Sequence, residues 1–434
     1  MAGKGPAPAG DRSVGRALDA LNFFLADVRD GLGPYLAIYL LSVQHWDAAS
    51  IGAVMSVAGV AGILAQTPAG ALIDRTMRKR AVVIAAAIAV TAGSLALPLL
   101  PHFGAVAAAQ AVTGVAGAVF PPALAAITLG IFGPRAFARR IGRNEAFNHA
   151  GNAAAATLAG WMAYLFGPIV VFWQMAALTV VSIFATLAIP ADAIDDRMAR
   201  GLGRDDHGDD GEQPSGLATL LASRPLMVFA ACAVLFHFAN AAMLPLVGQK
   251  LALAEPTLAT SLMAVCIVAA QGVMVPVALV VGANADRWGR KPIFLAAFAI
   301  LALRGALYPL SDDPYWLVGV QLLDGIGAGI FGTLFPRVVA DLTRGTGRFN
   351  VSQGAIATAQ GTGAALSAAV AGWVVVGASY SAAFLVLAGI AATGFLLYLI
   401  VMPETRPTGA STASDDRLPL ELIHQGSSSR SGSM

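Results

Sequence analysis

Apolar runs of about twenty residues, each bounded by a short polar break, recur from one end of this chain to the other. A helix of that length rises through the roughly 30 Å hydrocarbon core of a bilayer. The spacing predicts spans at 17–41, 48–72, 81–100, 104–132, 141–166 and 168–190, and again at 225–249, 258–282, 291–310, 315–340, 350–376 and 380–402. The runs do not alternate as barrel strands do, and a spanning helix satisfies each backbone amide within its own segment. The expected fold class is an all-α polytopic membrane protein of twelve transmembrane helices. Composition agrees, with only 12% charged residues and a mean hydropathy of +0.71, where a soluble domain carries about 25% charged residues. So few charges cannot cover a water-facing surface, and most of the exterior must meet lipid.

The stretch 191–224 is the one long polar segment inside the chain, and it carries Asp192, Asp195, Asp196, Asp205, Asp206, Asp209, Asp210 and Glu212. It separates an N-terminal six-helix bundle, 17–190, from a C-terminal one, 225–402. Residues 1–16 and 403–434 are polar and rich in Gly, Pro or Ser, and they read as disordered cytoplasmic tails without the apolar core of a signal peptide. The halves repeat. Pro34 precedes Pro245 by 211 residues, Gln110 precedes Gln321 by 211, and Asp74 precedes Asp286 by 212. The string QAVTGVAGAVF at 110–120 returns as QLLDGIGAGIF at 321–331. Internal repetition of this length in a membrane protein points to a transporter with its site between the halves. Of the 27 Lys and Arg residues, all but Arg29, Lys250 and Arg304 fall in the tails, the acidic segment or the even-numbered loops. By the positive-inside rule both termini are cytoplasmic, and an even number of spans requires the same.

Two loops carry a recognisable string. GALIDRTMRKR at 70–80 closes the second span and GANADRWGRKP at 282–292 closes the eighth. Both resemble the G-x-L-x-D-R-x-G-R-K signature of the major facilitator superfamily, departing at Met77 and Asn284, and the resemblance extends over residues 16–404. Gly70 and Gly282 let a neighbouring helix approach closely. Asp74 and Asp286 stand at a membrane boundary, where a carboxylate can face another helix N-terminus. Arg75, Arg78, Arg287 and Arg290 anchor the loops to the cytoplasmic surface. The resemblance implies two pseudo-symmetric bundles that rock about a central site, with these loops latching the halves on the cytoplasmic side in the outward-facing state. It also implies that spans 1, 4, 7 and 10 line the cavity, with 5, 8 and 11 beside them.

Polar groups inside the spans mark the expected pathway for protons and substrate. Span 1 holds Asn22, Asp27, Arg29 and Asp30, and the two aspartates share a helix face, so one carboxyl should exchange a proton near neutral pH. An ion pair with Arg29 or another helix is the structural alternative. Gln110, His149 and Asn152 complete the first-half set, and His237, Asn240, Gln321, Asp324 and Gln360 the second, with His149 a possible proton carrier. For each of these an interhelical hydrogen bond is the plainer reading. Arg304 and Asp324 lie at similar depth in one hairpin and read as a structural pair. Gly325, Gly327 and Gly329 sit in an apolar span with no Lys-Ser/Thr after them, so helix packing explains them better than nucleotide binding. Cys232 and Cys266 read as small buried hydrophobes.

No ATP motif, metal cluster or nucleophile–base pair appears, so no cofactor, no metal, no nucleic-acid partner and no enzyme activity are expected, and any driving force should be an ion gradient. The expectation is a monomeric secondary transporter of a small organic solute in the inner (plasma) membrane, proton-coupled, with family frequency favouring export. An uncoupled uniporter and a membrane sensor or scaffold are the alternatives. Gln110 stands where drug–proton antiporters of the family carry Arg, and Ala155-Ala156 where they carry Gly-Pro, which weakens a drug-export assignment.

Overall fold

The computed structural model describes residues 9–30, 32–199, 223–343 and 349–406. Among them the chain is helical, without strands. α1 is Ala9–Asp30 continued, after a break, by Gly33–Ser42; α2 is Ala48–Arg75 and α3 is Lys79–Ala96. α4 begins as Phe103–Gly117 and runs on into the helix Phe120–Phe166, which breaks at Gly133 (φ 68°, ψ 171°); beyond that residue it is α5. α6 is Val170–Leu187, and α7 is Arg224–Ala241 continued by Met243–Ala254. α8 is Ala259–Trp288, α9 Arg290–Leu307, α10 Pro314–Leu342, α11 Phe349–Gly377 and α12 Tyr380–Val401. The twelve expected spans are all present, and the fold is the two-bundle arrangement that the repeat implied.

Ten helical stretches of the described residues are long and apolar enough to cross a membrane. The remaining two spans are α1 and α5. They are not apolar enough because they carry Asn22, Asp27 and Arg29, and Arg143, His149 and Asn152. The polar seam of the first half is therefore built from the two helices that hydropathy ranks lowest.

Short caps set the turns at one end of the bundle, called here the distal face; the termini and the even-numbered loops lie at the other, the terminal face. Asp47 accepts from Ser50 N (2.9 Å) to start α2, Asp313 accepts from Tyr315 N (2.7 Å) to start α10, and Ser379 Oγ accepts from Ala382 N (3.1 Å) to start α12. Each cap satisfies an amide that the helix itself leaves open.

Three expected boundaries move. α1 starts at Ala9, so residues 9–16 are helix and not tail; Arg140 Nη2 donates to the Gly15 carbonyl (3.0 Å) and ties these turns to α5. The acidic segment is packed at its start. Buried Lys79 pairs with Asp196 (2.6 Å), and Asp195 N donates to Gly130 O (3.1 Å). Residues 200–222, with the rest of its carboxylates, lie outside the described residues. Glu404 is likewise ordered, accepting from the backbone N–H groups of Arg290 (2.9 Å) and Lys291 (3.1 Å) at the start of α9. The expected tail beyond it, 407–434, lies outside the described residues.

The repeat is visible in backbone contacts. A β-carbon added at Gly114 would lie 2.1 Å from Ala58 O, and one added at Gly325 would lie 2.2 Å from Ala270 O. The α2–α4 and α8–α10 crossings are thus the same close approach, made twice. Gly151 against Phe23 O (2.0 Å) and Gly363 against Val234 O (2.3 Å) repeat the α1–α5 crossing in α7–α11. Lipid cannot drive helices together by hydrophobicity, so such backbone approaches carry the packing.

Candidate functional site at the seam between the halves

The two halves touch at the distal face. On α2 and α11, a β-carbon at Gly52 would meet Ala368 O at 2.2 Å and one at Gly372 would meet Ala48 O at 2.3 Å, while Ser56 Oγ donates to Ala365 O (2.6 Å). Deeper along the same pair, Thr358 Oγ1 donates to Gln66 Oε1 (2.9 Å). On α5 and α8, Ser261 Oγ donates to Gly160 O (2.7 Å). Between α1 and α7, Gly248 packs on Ile38. At the terminal face the picture differs. Gly70 has open space around it, and the nearest atom to a β-carbon at Gly282 belongs to Thr333 of its own half, at 3.8 Å. Among the described residues, the two loops make polar contacts within their own halves, Lys79 to Asp196 and Arg290 to Asp286 and Asp341. A cavity of about 430 Å³ opens between α2, α4, α7 and α11, walled by Met55, Gly62, Gln66, Gly117, Pro121, Pro245 and Gly361.

Beside the seam, the second half encloses a polar cluster. Arg304 is fully buried and pairs with Asp324. The same guanidinium donates to Asn240 Oδ1 (2.8 Å), Gln321 Nε2 donates to Asp324 Oδ2 (3.0 Å), and Tyr308 O–H donates to Gln321 Oε1 (2.5 Å). Each member of the network has a hydrogen-bond partner within it, which helps to make a buried ion pair tolerable, although the buried Arg304 Nε–H has none. Four of its members have first-half equivalents 211 residues earlier: Gly93 for Arg304, Leu97 for Tyr308, Gln110 for Gln321 and Thr113 for Asp324. A β-carbon at Gly93 would sit 3.4 Å from Thr113 Oγ1, so the same helix contact exists there without charge.

Charge in the first half collects towards the terminal face. Buried Asp19 accepts from Arg140 Nη2 (2.6 Å) and from Arg143 Nε and Nη2 (3.0 and 2.8 Å), bridging α1 to α5. Arg29 reaches to 3.9 Å from Glu145. Further along α1, the half-buried Asp27 lies within electrostatic range of the Tyr35 hydroxyl, and so does Cys266 of α8 on the other side of the seam.

Most of the residues expected from sequence lie in or beside this region. Asn22 is buried and spends its amide on Leu18 O (2.8 Å). The side chain of Asp30 lies outside the described residues, so its pairing with Asp27 is not defined. Asn152 and half-buried His149 lie on α5, with His149 Nδ1 enclosed and without a hydrogen-bond partner, as is Gln360 Nε2 on α11. His237 is held by Ala233 O (3.0 Å) and by the edge of Phe331. Of the loop residues, Asp74, Arg75, Arg78 and Arg287 are exposed. Arg290 is not a surface anchor. It is buried and pairs with Asp286 (2.7 Å) and Asp341 (3.2 Å). Sequence reasoning missed Tyr35, Tyr308, Asp19 and Arg140. The repeat would have flagged Tyr308, since Leu97 is its counterpart. The helix that holds Arg140 begins before the apolar run that would reveal it.

A family model described as Major Facilitator Superfamily matches residues 18–283 and 272–430. Two uncharacterised MFS-type transporters of Mycobacterium tuberculosis, from strains CDC 1551 / Oshkosh and H37Rv, are each 63% identical over 394 residues, covering 90% of this chain and 94% of theirs. Among solved structures, the nucleoside transporter NupG aligns with a TM-score of 0.74 at 15% identity over 89% of this chain and 98% of that one. A point mutant of the same transporter aligns with the same score at 17% identity over 89% and 99%. Duplicated bundles, paired signature loops and these likenesses agree: the chain belongs to the Major Facilitator Superfamily.

Proposed function

We propose that this transporter carries a small organic solute by alternating access, coupled to protons, from an inner membrane in which both termini are cytoplasmic. The observation that carries the reading is the one-sided seam. The halves meet at the distal face through glycine, alanine and a few hydroxyl hydrogen bonds, and stand apart where the signature loops lie. With the termini inside, this is a conformation closed to the exterior. The latching role that the family resemblance gives Asp74 and Asp286 belongs to the opposite state, which fits their separation here. Asp27 is the proposed proton carrier, because it is a half-buried carboxylate within the first span. The domain limits we propose follow the helices, 9–199 and 223–406, with 200–222 joining them.

A reversible lock tests the reading. Gly59 and Ala365 face each other across α2 and α11, with 2.7 Å between the β-carbons if Gly59 had one. In a background with Cys232 and Cys266 replaced by alanine, Gly59→Cys with Ala365→Cys should form a disulfide after a small adjustment of the backbone. Oxidation should abolish solute flux in proteoliposomes and a thiol reductant should restore it. Equal flux in the oxidised and reduced protein would remove alternating access from consideration. Asp27→Asn should abolish flux driven by a pH gradient and spare exchange at equal pH; if both persist, Asp27 is not the proton site.

A further inference from the structure

A groove of about 510 Å³ lies outside the central cavity, where α5 and α8 meet near the distal face. Its walls come from both halves: Thr157, Trp161 and Tyr164 on one side, Val265, Val268 and Ala269 on the other. The volume falls in the range of roughly 300–1,000 Å³ typical of small-molecule sites. The lining is mostly apolar, and two of its three hydroxyls are spent internally, Thr157 on Ala153 O (2.8 Å) and Ser261 on Gly160 O (2.7 Å). The remaining polar groups, the Tyr164 hydroxyl and the Trp161 indole N–H, belong to exposed side chains at the rim. Trp161, Tyr164 and Val265 are exposed on the outer surface of the bundle, so the groove opens sideways to the bilayer. Aromatic side chains near a span end belong at the level of the headgroups and upper chains.

At the crossing beside the groove, the two seams of the molecule differ by one methyl group. Gly160 and Gly372 are repeat equivalents, and so are Ala264 and Gly52. In the α2–α11 seam, Gly372 meets Gly52, and a β-carbon at Gly52 would lie 3.3 Å from the Gly372 Cα. In the α5–α8 seam, Gly160 meets Ala264, whose Cβ would stand 2.5 Å from a β-carbon on Gly160. The alanine holds its helices apart. A gap at this depth has hydrocarbon for solvent, and a dry void forfeits the dispersion contacts of its lining.

We propose that this groove is a binding site for one acyl chain of a membrane phospholipid, wedged between the moving halves. Binding depends only on the membrane fold. Its consequence rests on the alternating-access reading: a chain lodged between α5 and α8 binds one conformation better than the other and biases the equilibrium by that difference.

The test is photolabelling of the full chain in phosphatidylethanolamine–phosphatidylglycerol vesicles carrying a trace of phosphatidylethanolamine with a mid-chain diazirine. Adducts mapped by peptide mass spectrometry should concentrate on 157–165 and 261–269, saturate with probe, and fall when unlabelled phospholipid is added. Trp373 and Ile400, exposed on other faces, should label weakly and without saturation. Val268→Phe and, separately, Ala269→Phe fill the groove and should abolish the saturable adducts while leaving Trp373 labelling unchanged; a variant counts only if its melting temperature matches the parent. Adducts no more frequent in the groove than at Ile400, or unaltered by both fillings, would overturn the assignment, as would competition by a short-chain detergent but not by phospholipid. Loss of solute flux with labelling intact would instead count against alternating access.

Discussion

The two halves share a backbone and differ in where they keep their charge. The crossings at Gly114–Ala58 and Gly325–Ala270 are superimposable in kind, to a tenth of an ångström in the clearance they leave. Yet the helix pair that carries Gly93 and Thr113 in the first half carries Arg304 and Asp324 in the second. The first half places its ion pairs at the terminal face, on Asp19, Arg140 and Arg143, with Arg143 open to solvent. The second half also keeps a pair at that face, Arg290 with Asp286 and Asp341, and adds one in its interior, Arg304 with Asp324. Duplication conserved what the lipid environment demands, close backbone contact, and left the polar chemistry free to diverge. In the first half the charges tie α1 to α5 near the terminal face, and in the second the interior pair ties α9 to α10.

The sharpest way to break this comparison is at Arg304. Arg304→Met leaves Asp324 buried without its partner and should cost about 3–5 kcal/mol, read as a large fall in melting temperature in detergent. Arg304→Met with Asp324→Leu should recover most of that loss, since an apolar pair replaces a satisfied ionic one. If the single variant melts like the parent, the cluster is not a structural tie. Next in size are the repeated crossings. Gly325→Ala and Gly114→Ala each force a methyl group into a carbonyl and should cost about 1–3 kcal/mol, by similar amounts. A loss confined to one half would show that the halves do not share the load equally.

Smaller effects separate the helix ends. Asp47 caps α2, whereas the equivalent Leu258 leaves α8 uncapped. Asp47→Ala should cost about 1 kcal/mol, and Leu258→Asp should stabilise by a similar or smaller amount, both by thermal melt. The smallest effect belongs to Glu404, which serves α9 where α3 has no side-chain cap. Burial tends to raise its pKa, but backbone donors from Arg406, Arg290, Lys291 and Thr405 outweigh this and hold it below the usual glutamate value. A depressed folded-state pKa contributes stability that is fully present above the unfolded value, about 4.3, and lost as pH falls through the folded value. Melts of the parent and of Glu404→Gln should therefore differ near neutral pH and converge on acidification below that range.

The spans were readable because bilayer thickness dictates length and hydropathy, and the repeat was readable because close crossings such as those of Gly114 and Gly325 keep glycine in both halves. The candidate site was legible only in part. Asp27, His149 and Asn152 stand out against an apolar background, and they do lie on the two seam helices. The destination of a long side chain is another matter. Arg290 reads as one of a basic surface cluster, yet its guanidinium turns inward to Asp286 and Asp341. Asp19 lies in the expected first span without an evident role there, because only the tertiary fold brings Arg140 and Arg143 to it, more than a hundred residues away.

The distal gate is faced with glycine, alanine and serine, and that choice has a thermodynamic consequence. Closing an ordinary interface freezes rotamers, at about 0.5–1.5 kcal/mol for each long side chain. On the alternating-access reading proposed above, the α2–α11 contact has few such side chains to freeze, so closing it sacrifices little disorder and opening it regains little. The balance between the two states then rests on a handful of hydroxyl contacts and on the medium that wets the parted surfaces. Modest changes in hydration or in membrane tension should suffice to shift it.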